Sequence, residues 1–149
     1  MSLTYAFGKN TIFSSQIFMY SKYCFGFVNL KPVLPGHVLV ASFRVVQRFS
    51  DLTSEEVSDM YISAQKIGKI VEREYNGTSL SLVMQDGPEA GQTVPHCHVH
   101  IIPRKVGDFV ENDDIYKEIN KSTRVDNEER EPRSLEEMDK EATHLRQFF

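Results

Sequence analysis

Residues 51–75 limit the possible folds more than any other stretch of this chain, because they carry the marks of one long, capped helix. Thr53-Ser54-Glu55-Glu56 has the pattern of a capping box. In that arrangement the threonine oxygen takes the amide of Glu56, and the Glu56 carboxylate reaches back. Val57, Met60, Tyr61, Ala64, Ile67, Val71 and Tyr75 recur at helical spacing and form one apolar face. Asn76-Gly77 then stops the helix. The sequence on either side reads as strands: residues 12–20, 24–29 and 37–41 before the helix, 78–85 and 94–103 after it. Lys31-Pro32-Val33-Leu34-Pro35-Gly36 is a turn, since proline fixes φ and glycine permits left-handed backbone. The order β-β-β-α-β-β lacks the repeated βα alternation of a parallel sheet. It predicts an α+β fold with a mainly antiparallel sheet.

A last helix is expected from Ser134, where Glu137 completes a second capping box. Leu135, Met138, Ala142, Leu145 and Phe149 are its expected docking residues, and His144 is read as surface. Residues 107–133 are polar and nearly aperiodic, so they read as a loop, mobile above all across 121–130. Residues 1–149 read as one domain, long enough to bury a real core, without internal repeats.

Several partner classes are disfavoured. The net charge of −4 is concentrated in the tail, where residues 107–149 hold 13 Asp and Glu against 7 Lys and Arg. No basic stripe of the kind long nucleic acids require is seen. No apolar run reaches the roughly 20 residues of a membrane span. The N-terminus lacks the basic start and apolar stretch of a signal peptide, so a cytoplasmic, and also nuclear, location is expected. Two cysteines, Cys24 and Cys97, suit free thiols in a reducing compartment.

The chemistry concentrates in His96-Cys97-His98-Val99-His100, which holds three of the five histidines. On a strand, side chains alternate, so the three histidines are expected on one face and Cys97, Val99 and Ile101 on the other. Three readings compete. Same-face histidines can bind zinc, which in a catalytic site takes three protein ligands and a water. A neutral imidazole can attack phosphorus, with a neighbour fixing its tautomer. A polar ladder can also be purely structural. Gln85 and Gln92 lie nearby and, as neutral donors, suit phosphate oxygens better than zinc. The glycines of Asp86-Gly87-Pro88-Glu89-Ala90-Gly91-Gln92 would let backbone amides approach a phosphate.

His96-Cys97-His98-Val99-His100-Ile101-Ile102 resembles the histidine-triad (HIT) motif, with Cys97 in an apolar slot. Residues 29–40, residues 84–94, Gly107-Asp108-Phe109 and Asn112-Asp113-Asp114-Ile115-Tyr116 are similar to the fragile histidine triad branch in particular. Val45 stands where a proline is expected, which bears on a turn rather than the chemistry. The resemblance implies a hydrolase of the bis(5'-adenosyl)-triphosphatase type that cleaves diadenosine triphosphate to AMP and ADP. It implies a nucleotidyl intermediate on His98, with His96, His100 and His37 completing the catalytic set. Asn10, Asn29, Gln85, Gly91, Gln92, Thr93, Val94 and His100 would contact the substrate. No protein-held metal or tightly bound cofactor is implied. A divalent cation, Mg²⁺ or Mn²⁺, would accompany the substrate, and the chain would form a homodimer. The alternative is a nucleotide-binding signalling module with slow turnover.

Overall fold

The computed structural model describes residues 3–123 and 130–149. Seven strands and three helices are present among them: β1 (Thr4–Phe7), β2 (Asn10–Phe13), β3 (Ile17–Tyr20), β4 (Cys24–Val28), β5 (Val38–Ser42), α1 (Ser54–Glu74), β6 (Ser79–Val83), β7 (His98–Arg104), α2 (Asp114–Thr123) and α3 (Leu135–Arg146). β1 and β2 form a separate antiparallel hairpin. The other five strands make one antiparallel sheet in the order β3-β4-β5-β7-β6. The expected α+β fold with a mainly antiparallel sheet is the one found.

Each face of the sheet has its own role. Val38 and Val40 of β5, and Val99 and Ile101 of β7, bury against Met60, Ala64, Ile67 and Val71 of α1 and Met138, Ala142 and Leu145 of α3. Both capping boxes form as the sequence predicts, Thr53 with Glu56 and Ser134 with Glu137. Fully burying one such aliphatic side chain contributes about 1.5–3 kcal/mol. Leu39 and Ala41 point the other way and pack with Phe7, Ile12, Phe25 and Phe27. His98 and His100 lie on this second face, because they alternate with Val99 and Ile101. Ile102 continues the same row and packs against Ile115 and Ile119 of α2. The hairpin therefore covers one end of the histidine face and α2 the other.

Five expectations need correction. The stretch 12–20 is two strands broken by a 3₁₀ turn at Ser14–Gln16, which lets β1 and β2 fold back as a hairpin. The helix expected from residue 51 begins at Ser54, after a 3₁₀ turn at Phe49–Asp51. β7 starts at His98 rather than residue 94, so His96 precedes the strand. Residues 107–133 are not all loop: α2 forms there, anchored by Ile115 and Ile119, two apolar positions four apart in a polar context. Leu135 is exposed and does not dock, whereas Phe149 sets its ring 5.6 Å from that of Phe18. The expected mobility across 121–130 falls largely on residues 124–129, which lie outside the described residues. At the described end, Arg130 pairs with Glu118 at 2.9 Å and donates to the Pro32 carbonyl. Among the described residues, no helix is long and apolar enough to cross a membrane.

Candidate active site

His98 sits at the start of β7, opposite Ala41 of β5, and is nearly fully buried. Its Nδ1 lies 2.6 Å from the carbonyl oxygen of His96. A carbonyl only accepts, so Nδ1 carries the proton and donates. The other ring nitrogen, Nε2, then carries the lone pair. Burial lowers the His98 pKa to about 4, so the ring is neutral at pH 7. The edge of the Phe7 ring contact, with centroids 4.9 Å apart, supplies part of the apolar surround.

His96 is placed by two backbone groups from distant parts of the chain. Its Nδ1 accepts the Gly8 amide at 2.9 Å, and its Nε2 donates to the Ser42 carbonyl at 2.7 Å. Both nitrogens are committed, so His96 serves by holding its own carbonyl against His98. Gly8 turns the hairpin at φ +60, and a Cβ there would meet Val94 Cγ1 at 2.9 Å. The backbone can approach the strand entrance this closely only because residue 8 has no side chain.

A second chain of bonds fixes His100. The Val33 amide donates to His37 Nδ1 at 3.0 Å, so the proton of His37 is on Nε2. His37 Nε2 lies 2.9 Å from His100 Nδ1 and donates to it. The His100 proton is thereby placed on Nε2, which is buried and has no protein partner among the described residues. Each ring is held neutral: burial lowers the His37 pKa to about 3, helped by Arg130, His98 and Arg133, and burial depresses His100 well below the usual range. Burial lowers His96 as well. With their rings neutral, His96 and His100 present fixed N–H groups and lone pairs rather than charge. Asn29 stands beside this chain, with Nδ2 3.2 Å from His37 Nε2, its Oδ1 accepting the Lys31 amide and its carbonyl taking the Arg133 guanidinium.

The polar loop closes the remaining side. Gln85 is buried and lies two residues beyond Val83, which pairs with His100, so it extends toward His98. Asp86 anchors the loop by accepting from Arg48 and from the Phe49 amide. Gln92 is placed differently from its expected role. Its side chain accepts the Gly87 amide at 2.8 Å and donates to the Gln47 carbonyl at 2.8 Å. The amides of Gly91 and Gln92 donate within the loop, to Pro88 and Gly87. Gln92 is thus a brace of the loop. Thr93 is exposed and Val94 half-buried next to Gly8. Asn10 is exposed on β2, at the far side of the Gly8 turn.

The structure therefore links His37 to His100 by a hydrogen bond with Asn29 beside it, sets the His98 ring 5.0 Å from that of His100 with the His96 carbonyl on its Nδ1, and brings Gln85 and Gly91 together at Asn120. Both nitrogens of His96 and of His37 have protein partners. Among the described residues no group of three or more His, Cys, Asp or Glu is arranged to hold a metal ion. Sequence reasoning missed the carbonyl of Ser42 and the amides of Gly8 and Val33, for which no side-chain signal exists. It also missed Asn120 of α2, which accepts from Gln85 at 2.8 Å. The pair Ile115 and Ile119 was the available sign that a helix carries it.

An antiparallel sheet with α1 and α3 on one face and a row of neutral, tautomer-fixed histidines on the other is the design of a histidine triad protein. The chain belongs to the HIT domain family, whose domain matches residues 11–107. A bis(5'-adenosyl)-triphosphatase of Dictyostelium discoideum is 53% identical over 149 residues, spanning 100% of this chain and 95% of that protein. The bifunctional bis(5'-adenosyl)-triphosphatase/adenylylsulfatase FHIT of Arabidopsis thaliana is 46% identical, covering 98% of this chain and 84% of its own length. The crystal structure of the Plasmodium falciparum diadenosine triphosphate hydrolase in complex with cyclomarin A superimposes with a TM-score of 0.80 at 34% identity, covering 99% of this chain and 85% of that one.

Proposed function

We propose that this chain hydrolyses dinucleoside polyphosphates, diadenosine triphosphate foremost, to AMP and ADP through a nucleotidyl intermediate on His98. The observation that carries the reading is the His98 ring: neutral, with Nδ1–H on the His96 carbonyl and Nε2 left with its lone pair. Nε2 attacks the α-phosphorus, an N–P bond forms, and the P–O bond to the departing nucleoside diphosphate breaks. Water then attacks the same phosphorus, the N–P bond breaks, and AMP leaves with His98 restored. His100 Nε2–H is the donor suited to a non-bridging phosphate oxygen, where charge grows in the transition state. Asn29 suits a ribose hydroxyl and Gln85 the phosphate chain, with Thr93 and Val94 alongside, while Gly91 and Gln92 shape the loop that carries them. Asn10 reaches the nucleotide from the hairpin.

A homodimer, and a Mg²⁺ or Mn²⁺ ion that arrives with the polyphosphate, are parts of the same reading. Sequence identity to named triphosphatases over almost the whole chain supports the substrate class. Brief exposure to diadenosine triphosphate, acid-free quenching and peptide mass spectrometry test it. One added AMP on the peptide carrying His98 is expected. A label on Cys97, or turnover without any labelled enzyme, would overturn the assignment of the nucleophile.

A further inference from the structure

Gln85, Gly91 and Asn120 come from a strand end, a loop and α2, yet they meet at one point. Gln85 Nε2 donates to Asn120 Oδ1 at 2.8 Å. A Cβ added at Gly91, whose φ is +94, would lie 2.6 Å from Gln85 Nε2 and 2.7 Å from Asn120 Oδ1. Any side chain there would force the pair apart. The helix that brings Asn120 is held firmly. Ile115 and Ile119 are buried against Ile102, on the face that bears His98 and His100. Two residues before Asn120, Glu118 pairs with Arg130, which also donates to the Pro32 carbonyl in the turn that supplies the Val33 amide to His37.

We infer that Asn120 is a positioning residue for the reaction, fixing the amide of Gln85 against the phosphate chain from α2. The inference rests on the reading of Gln85 as a phosphate-side ligand. A glutamine amide has two chemically different ends, and a free one rotates between them about a broad torsion. With one N–H held by Asn120, the plane of the Gln85 amide is set before a ligand arrives. Reorganisation at the moment of binding is thereby reduced, which is the advantage of a preorganised donor. Asn120 itself need not touch the substrate for this.

The test is a double-mutant cycle on the full chain with diadenosine triphosphate as the probe: wild type, Gln85→Ala, Asn120→Ala and the double variant, each with a thermal melt. Gln85→Ala should lower kcat/KM by roughly 10²-fold or somewhat less. Asn120→Ala should lower it roughly 10-fold, chiefly in kcat, with the melting temperature little changed. The double variant should be no worse than Gln85→Ala alone. A merely structural Asn120 would instead give losses that multiply, and that result would sink the inference. So would wild-type kinetics in Asn120→Ala beside an impaired Gln85→Ala, while leaving the hydrolase reading intact. Wild-type kinetics in Gln85→Ala would remove the phosphate role of Gln85 and the inference with it. Asn120→Ser, which keeps an acceptor oxygen on a shorter arm, is read by the same cycle if the alanine variant does not fold.

Discussion

The two faces of the five-stranded sheet are built by the same alternation of residues, yet they are held together in different ways. On the helix face, Val99 and Ile101 meet α1 and α3 through apolar contacts that have no direction and many substitutes. On the other, His98 and His100 each depend on particular partners at 2.6 Å and 2.9 Å. Removing a methyl group from the first face weakens it by degrees. Removing a partner from the second changes which nitrogen carries a proton. The difference teaches that the fold tolerates change where the chemistry does not.

The sharpest way to separate the faces is His98→Asn. The amide keeps similar size and hydrogen-bonding capacity but forms no stable phosphoramidate, so kcat should fall by about 10⁴–10⁶-fold. The thermal melt should stay near that of the wild type, and the dinucleotide should still bind by calorimetry. Near-normal turnover would place the nucleophile elsewhere. Ile67→Ala, on α1 and fully buried against the opposite face, should do the reverse. It should cost about 2–5 kcal/mol of stability by urea unfolding, with kcat unchanged below the melting range. A loss of kcat as large as that of stability would show that the faces are coupled.

Proton linkage distinguishes them again, with a smaller effect. His37 and His98 have folded pKa values of about 3 and about 4, below the unfolded value near 6.5. Between those limits the unfolded chain binds more protons than the native one. Their contribution to stability is therefore complete above pH 6.5 and is lost as pH falls toward the folded values. These two groups alone should lower the melting temperature by roughly 10 °C between pH 7 and pH 5, where most carboxylates have not yet titrated, and His100, depressed further by burial, adds in the same direction. A flat melting profile over that interval would mean that the histidine face admits charge.

Periodicity made the helix face legible, because burial of α1 and α3 needs only apolar residues at the right spacing. The spacing of the histidines made His98 and His100 legible on the other face. Their tautomers were not, since these depend on the main-chain groups of Gly8, Val33, Ser42 and His96, which look alike in every residue. Gln92 shows the limit from another side. Its residue type suits phosphate, but its amide is already occupied by Gly87 and Gln47. α2 was overlooked because two isoleucines in a charged stretch carry a weak periodic signal, although Ile102 gives them a place to dock.

The bond from the Gly8 amide to His96 spans 88 residues of sequence. Closing so long a loop is entropically costly and is deferred until other contacts hold its ends together. During synthesis the hairpin emerges before the strand that it serves and must wait for it. A refolding chain should therefore regain its sheet signal before its enzymatic rate, the lag marking the arrival of the hairpin. Catalytic competence in this molecule is a property acquired late, and only by a chain whose hairpin has found the entrance to β7.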